Sequence, residues 1–380
     1  MRIGIELECW VIDGDGALAS ASGIASACPG VDSEFVDPLL EVTTRPHDSA
    51  EAAIRELRSR LETTVETAHD RGKRLVPLGT PLGEGPIPTS RDDRTAIQRA
   101  VLGDRLDHAA HCAGTHVHFE QVNAVDQLRV LTALDPAFAL VATSPYYRGR
   151  HAKPCARPHV YRRLCYADYP DHGRLWRYPR SAAEWRDRID DRCETFRTAA
   201  VDAGIDPDRF DAAFTPATAV WSPVRLRDDL GTVEWRAPDA APPSDLGRLI
   251  RETAAIVAAA VERGTRIESA PGTADGPVRV PPFATLQRHV ETALDRGLES
   301  RSLRRYLDRM GYDVDAYRPV GSRIDGRTRL DPGTVLRLRR RYADRLERDL
   351  DRRAPAGQPV PTGPFPYRSS SRSSSSATRS

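Results

Sequence analysis

The chain has 380 residues, 39% hydrophobic and 29% charged, a globular composition with room for one large domain or two ordinary ones. Its formal net charge is only +2, which excludes the strong overall field that would announce a nucleic-acid or membrane partner. Lys73 and Lys153 are the only lysines among 56 basic residues, an arginine bias that a GC-rich coding sequence explains without function.

Residues 2–12 alternate as a half-buried strand, with Ile3, Ile5, Leu7, Cys9 and Val11 on one face and Gly4, Glu6, Glu8 and Trp10 on the other. The DGDG at 13–16 is a turn. A second strand is expected at 39–44, stopped by Arg45-Pro46. Asp48 then opens a helix, with Glu51 at capping-box spacing and Ile54, Leu57, Leu61, Val65 and Ala68 in helical period until Gly72. Further strands are expected at 74–83, 114–120 and 231–237, and helices near 124–141, 183–203 and 244–263. The stretch 265–282 is rich in Pro and Gly and reads as a loop or lid. Residues 284–353 read as Arg-rich helix, and 354–380, ending in RSSSRSSSSATRS, as a disordered tail. The corresponding division is a core over 1–264, a loop and helical part over 265–353, and the tail. Strands and helices mix without a regular βαβ beat, and no Gly-rich phosphate loop occurs. The expected class is α+β, a mainly antiparallel sheet with helices on one side.

The cysteines, Cys9, Cys28, Cys112, Cys155, Cys165 and Cys193, make no C-x-x-C pair. The N-terminus lacks a secretory h-region, and the apolar stretch 249–261 contains Arg251 and Glu252 and is too short to span a bilayer. A cytoplasmic protein with reduced thiols and no membrane partner is expected. A homo-oligomer is compatible with the sequence.

Period-two strands place chemistry on single faces. Glu6 and Glu8 point the same way in GIELE. Glu41 lies among apolar neighbours in LLEVTT, seven residues after Glu34. His116, His118 and Glu120 share one face of GTHVHFE, and Glu234 and Arg236 share one face of TVEWR. Any one such pattern is most simply a solvated strand face. Together they line one sheet with carboxylate and imidazole where water-facing strands would mix in Lys, Thr, Ser and Gln. Clustered carboxylates repel and call for a cation. An oxygen-rich donor set suits Mg²⁺, or Mn²⁺, better than zinc, and such Mg²⁺ bridges nucleotide phosphates, which an arginine such as Arg236 can clamp.

With these four segments in order, and SPYYRGR at 144–150 between the third and fourth, residues 2–260 resemble the glutamate–cysteine ligase family, in its carboxylate–amine ligase branch. The resemblance implies a glutamine-synthetase-like fold whose curved sheet holds nucleotide, metal and substrates on a polar concave face. It implies metal ligation by Glu6, Glu8, Glu34, Glu41, His116 and Glu234. It implies substrate or ATP binding by Arg225, Arg236 and His118, and catalysis by Arg236 and Glu234. The implied reaction consumes ATP with Mg²⁺ to activate L-glutamate as an acyl phosphate, which L-cysteine attacks to give γ-glutamylcysteine. Another amine is the alternative acceptor. Ser222 and Pro223 depart from the Trp-Asp usual in that branch. Two other readings compete: a barrel hydrolase built on His116-x-His118, and nucleic-acid binding by the arginine run 337–341, against which the interleaved acids that follow it argue.

Overall fold

A computed structural model of the protein describes residues 1–324 and 326–352; the expected tail at 354–380 lies outside them. The strands in chain order are β1 (Ile3–Asp13), β2 (Val31–Ser33), β3 (Leu39–Thr43), β4 (Lys73–Val76), β5 (Thr115–Glu120), β6 (Tyr146–Tyr147), β7 (Arg150–His151), β8 (Val224–Arg227), β9 (Thr232–Trp235), β10 (Thr265–Ile267) and β11 (Val278–Val280). One seven-stranded sheet runs β2-β3-β1-β5-β9-β8, with β4 pairing along the second half of β1. Every pairing in it is antiparallel.

The alternation in β1 decides how the sheet is used. Ile5 lies opposite Val117, Leu7 opposite Val42, and Cys9 opposite Leu40. Phe119 meets Val233, and Val117 meets Trp235. These side chains are all buried. Helix Ala50–His69 packs on β1, β3 and β4, and helix Ala124–Leu134 packs on β8 and β9. Helix Pro243–Arg263 packs on both of those helices, so one face of the sheet carries the helical layer and the apolar core. The α+β class with a mainly antiparallel sheet is therefore present.

Several boundaries differ from the sequence reading. Ser49, not Asp48, caps the first long helix, its hydroxyl accepting from the Ala52 N–H, because the chain turns helical one residue later. Helix Ala124–Leu134 gives way to a 3₁₀ segment, Asp135–Val141, as Pro136 removes a backbone donor. Strand β4 ends at Val76, before the buried loop residues Leu78 and Leu82. Residues 265–282 include the short parallel pair β10–β11. The helical stretch beyond 283 is divided into Phe283–Arg296, Arg301–Arg309 and Pro332–Asp351.

Candidate active site

The register of four strands assembles the polar face. Residues directly opposite in an antiparallel pair put their side chains on the same face. Glu8 is opposite Glu41, Glu6 opposite His116, His118 opposite Glu234, and Glu234 opposite Arg225. A slip of one residue in any pairing would send that strand's acids into the apolar layer. Glu34, just past β2, joins the row from the loop before β3. All the acidic and imidazole positions singled out in the sequence therefore meet in one place, except Glu120. That residue sits at the end of β5 and pairs with Arg2 at 2.8 Å, at the surface.

The face is not a solvated one. Glu41 is 4% exposed, His116 and His118 3%, and Glu234 0%. His116 Nδ1 lies 2.8 Å from Glu6 Oε2, and 3.8 and 3.9 Å from carboxylate oxygens of Glu41 and Glu234. Its Nε2 is 3.8 Å from Glu8. His118 Nε2 is 3.2 Å from Glu6 and 3.8 Å from Glu234. The Gly114 N–H donates to Glu8, and a Cβ at Gly114 would stand 1.9 Å from the Arg157 guanidinium, so the close approach of backbone to side chain there requires glycine. Arg157 in turn donates to the carbonyls of Arg236, Ala237 and Pro238, each at 3.2 Å, pinning the chain that leaves β9.

The electrostatics divide the site. Burial, then the charges of Glu6, Glu34 and Glu8, pushes Glu41 well above the carboxylate range. Burial and then Glu8 push Glu34 up to about 8. Glu6 goes the other way: burial raises it, but His118 and hydrogen bonds from both imidazoles outweigh burial. Burial also raises Glu234, yet Arg236, then Arg225, His118 and Arg227 hold it well below the ordinary range. Glu234 touches Arg236 and lies 3.7 Å from Arg225 and 3.6 Å from Arg227. Burial drives Arg225 down to about 9. One end of the site thus carries surplus negative charge and the other surplus guanidinium.

The acidic end fits a divalent ion. Three overlapping donor sets have ligand atoms within 4.8 Å of one another: Glu6–Glu41–His116, Glu6–His118–Glu234 and Glu8–Glu34–Glu41. His116 Nε2 is buried there without a hydrogen-bond partner. A donor set dominated by carboxylates selects a hard cation.

A profile of glutamate-cysteine ligase family 2 (GCS2) matches residues 2–309. The chain belongs to that family. Among curated proteins it is 32% identical over 168 residues to one from Clavibacter michiganensis subsp. michiganensis, provisionally named glutamate–cysteine ligase 2; the match covers 39% of this chain and 43% of that one. Among solved structures, a bifunctional glutathione synthetase from Pasteurella multocida superposes with a TM-score of 0.51 at 14% identity, over 92% of this chain and 50% of the other, which shows a shared fold. A glutamate–cysteine ligase from Francisella tularensis, in complex with AMP, aligns at a TM-score of 0.40 and 12% identity over 93% of this chain and 95% of its own. The chain thus spans about half the length, or less, of the first relatives it matches in each comparison.

In this family member the structure adds residues that the motifs did not single out. Arg227 is two places beyond Arg225 on β8, where V-R-L-R alternation puts both guanidiniums on the polar face. That period was legible in the sequence. Arg94, from helix Asp93–Leu102, is half-buried, and burial lowers its pKa, with Glu34 and Arg236 among its charged neighbours. No local pattern marks it. An aromatic stack borders the guanidinium end: Tyr161 lies on Trp221 at 4.2 Å and 9°, and Tyr166 stands 6.1 Å from the same indole. Burial raises the Tyr166 phenol, and Arg94, Arg236 and Arg225 oppose that rise. None of the six cysteines is paired, and all but Cys193 are buried. Among the described residues no helix is long and apolar enough to cross a membrane.

Proposed function

We propose that this protein is an ATP-dependent carboxylate–amine ligase that joins the γ-carboxyl of L-glutamate to L-cysteine, giving γ-glutamylcysteine. The observation that carries the reading is the strand register that sets a carboxylate–imidazole cluster against buried arginines on one sheet face. Membership of glutamate-cysteine ligase family 2 supports the reaction class, and the choice of cysteine follows from the family alone.

Glu6, Glu8, Glu34, Glu41, His116 and Glu234 would hold Mg²⁺ or Mn²⁺, which would neutralise charge on the triphosphate. The chain's own groups do the rest. Arg225, Arg227 and Arg236 offer guanidinium forks to the transferring phosphoryl group and to the spectator carboxylate of glutamate. Arg236 is the group best placed to stabilise charge as the acyl phosphate forms, because Glu234 keeps it oriented and ionised. His118, whose Nδ1 lies 3.1 Å from Thr232 Oγ1 and whose Nε2 lies 3.2 Å from Glu6, would meet the substrates beside Glu6. Activation is needed because condensing a carboxylate with an amine is uphill at neutral pH, whereas an acyl phosphate has a good leaving group.

The test is incubation of the purified protein with ATP, Mg²⁺, L-glutamate and a panel of amines, read by mass spectrometry for the amide and for the nucleotide product. ADP with γ-glutamylcysteine is expected. AMP with pyrophosphate would overturn the acyl-phosphate route. Equal turnover of cysteine and simple amines would overturn the cysteine assignment while leaving the ligase class.

A further inference from the structure

A second charged feature lies on other elements. The helix Pro332–Asp351 and the first turn of helix Pro243–Arg263 border a half-open cavity of about 420 Å³. Arg341, Arg345, Arg348 and Arg352 follow one another at spacings of four, three and four residues, a single stripe down the helix and its end, and Arg323 joins them from across the cavity. Among the described residues the lining carboxylates are Asp245 and Asp349. Five guanidiniums against two carboxylates leave the wall at +3.

Both carboxylates are already engaged. Asp245 accepts from Arg345 at 3.0 Å. Asp349 accepts the Ser244 N–H at 2.9 Å and lies 3.6 Å from Arg58. Arg323, Arg341, Arg348 and Arg352 have no carboxylate within 4 Å among the described residues, although exposed arginines elsewhere do, as in Arg186–Asp228 and Arg209–Asp93. Outside the described residues, 353–380 contain no Asp or Glu, and Asp325 is the single carboxylate side chain. Like charges at such helical spacings repel. The buried Tyr342 shows how closely they converge: burial raises its phenol, and Arg341, Arg345 and Arg323 all oppose the rise.

We infer that this cavity binds a small, multiply phosphorylated anion. Its volume falls within the range of small-molecule sites. A phosphoryl group offers several oxygens that guanidinium forks can share, and a di- or triphosphate matches the net charge of the wall. A nucleic-acid backbone fits less well. Arg339, in the middle of the run 337–341, is turned inward to the carbonyls of Pro81 and Gly16, at 2.8 and 3.2 Å, so the run does not present one flat basic surface. The remaining cations surround a cavity instead.

The test is calorimetric titration of the full chain with inorganic tripolyphosphate in metal-free buffer, comparing wild type with Arg341→Gln/Arg348→Gln. Both side chains are exposed, so the double variant should melt no lower than wild type. Saturable binding to wild type, weakened about tenfold or more in the double variant, supports the site. Arg348→Gln alone, weakened by a smaller factor, serves if the double variant does not fold. Parallel titrations of wild type and the double variant with ATP and GTP separate the sources, read as the binding lost in the variant so that nucleotide held on the sheet face cancels: a loss equal to that for tripolyphosphate assigns a bare polyphosphate, and a larger loss assigns a nucleotide. Three results would overturn the inference. They are identical titration of wild type and variants, a wild-type response no greater than that of sodium chloride at matched ionic strength, or duplex DNA binding more tightly than tripolyphosphate and lost in the variants.

Discussion

Replacing Glu234 by Gln keeps the side-chain shape and removes the charge shared by Arg225, Arg227 and Arg236. The carboxylate is fully buried and within 4 Å of all three guanidiniums. Removing one partner from a buried ion-pair cluster costs about 3–5 kcal/mol, because the opposite charges stay buried without compensation. Arg227 keeps Asp229, at 3.0 and 2.7 Å, whereas Arg225 has no second carboxylate within 4 Å among the described residues. The loss therefore falls mainly on Arg225 and Arg236. An unfolding entropy of about 2.1 cal/mol/K per residue over 380 residues makes each kcal/mol worth about 1.3 °C, so the metal-free variant should melt about 4–6 °C below wild type. Scanning calorimetry in the presence of a chelator reads this directly, and a repeat with Mg²⁺ should show a smaller Mg²⁺-induced rise in the variant. A metal-free variant melting within about 1 °C of wild type would refute the role of Glu234 as the counter-charge of the arginines.

Glu34 makes the metal response pH-dependent. Its carboxyl is pushed from 4.5 up to about 8, so between those values the folded protein binds more protons than the unfolded chain, and this group's contribution to metal-free stability falls as pH rises. Mg²⁺ needs the ionised form, so the Mg²⁺-induced rise in melting temperature should grow up to about pH 8 and then level off; a flat response across that window counts against Glu34 as a ligand. Arg162→Ala should cost about 3–5 kcal/mol in denaturant unfolding, since it strands Asp135, which is 0% exposed and holds Arg162 through two bonds of 2.7 and 2.9 Å. A loss under about 1 kcal/mol would show that Asp135 finds another donor or takes up a proton. Deleting residues 369–380, whose largest apolar side chain is Ala377, should leave melting temperature and turnover unchanged; a clear drop in either would mean that the segment docks.

The positions of the candidate site were mostly legible in one dimension. A two-residue period needs no tertiary information, so Glu6 with Glu8, His116 with His118, and Glu234 with Arg236 could each be put on one face of a strand. Arg227 was equally readable from V-R-L-R, but a four-residue strand with arginine at alternate places looks like surface sequence. Arg94 and Tyr161 could not be found this way. They arrive from a helix and a wide turn, where no local period points toward a sheet distant in sequence.

By itself the sequence determined which residues alternate, hence the α+β class, the apolar face of β1 and the set of acids that could share a site. Only the tertiary structure decided the strand order β3-β1-β5-β9-β8 and its register, because pairing depends on contacts between segments up to more than a hundred residues apart. Register placed Glu8 against Glu41 and Glu234 against both His118 and Arg225. Burial did the rest. The same carboxyl group is driven up at Glu41 and down at Glu234 because one is surrounded by acids and the other by guanidiniums, a difference that no strand pattern contains.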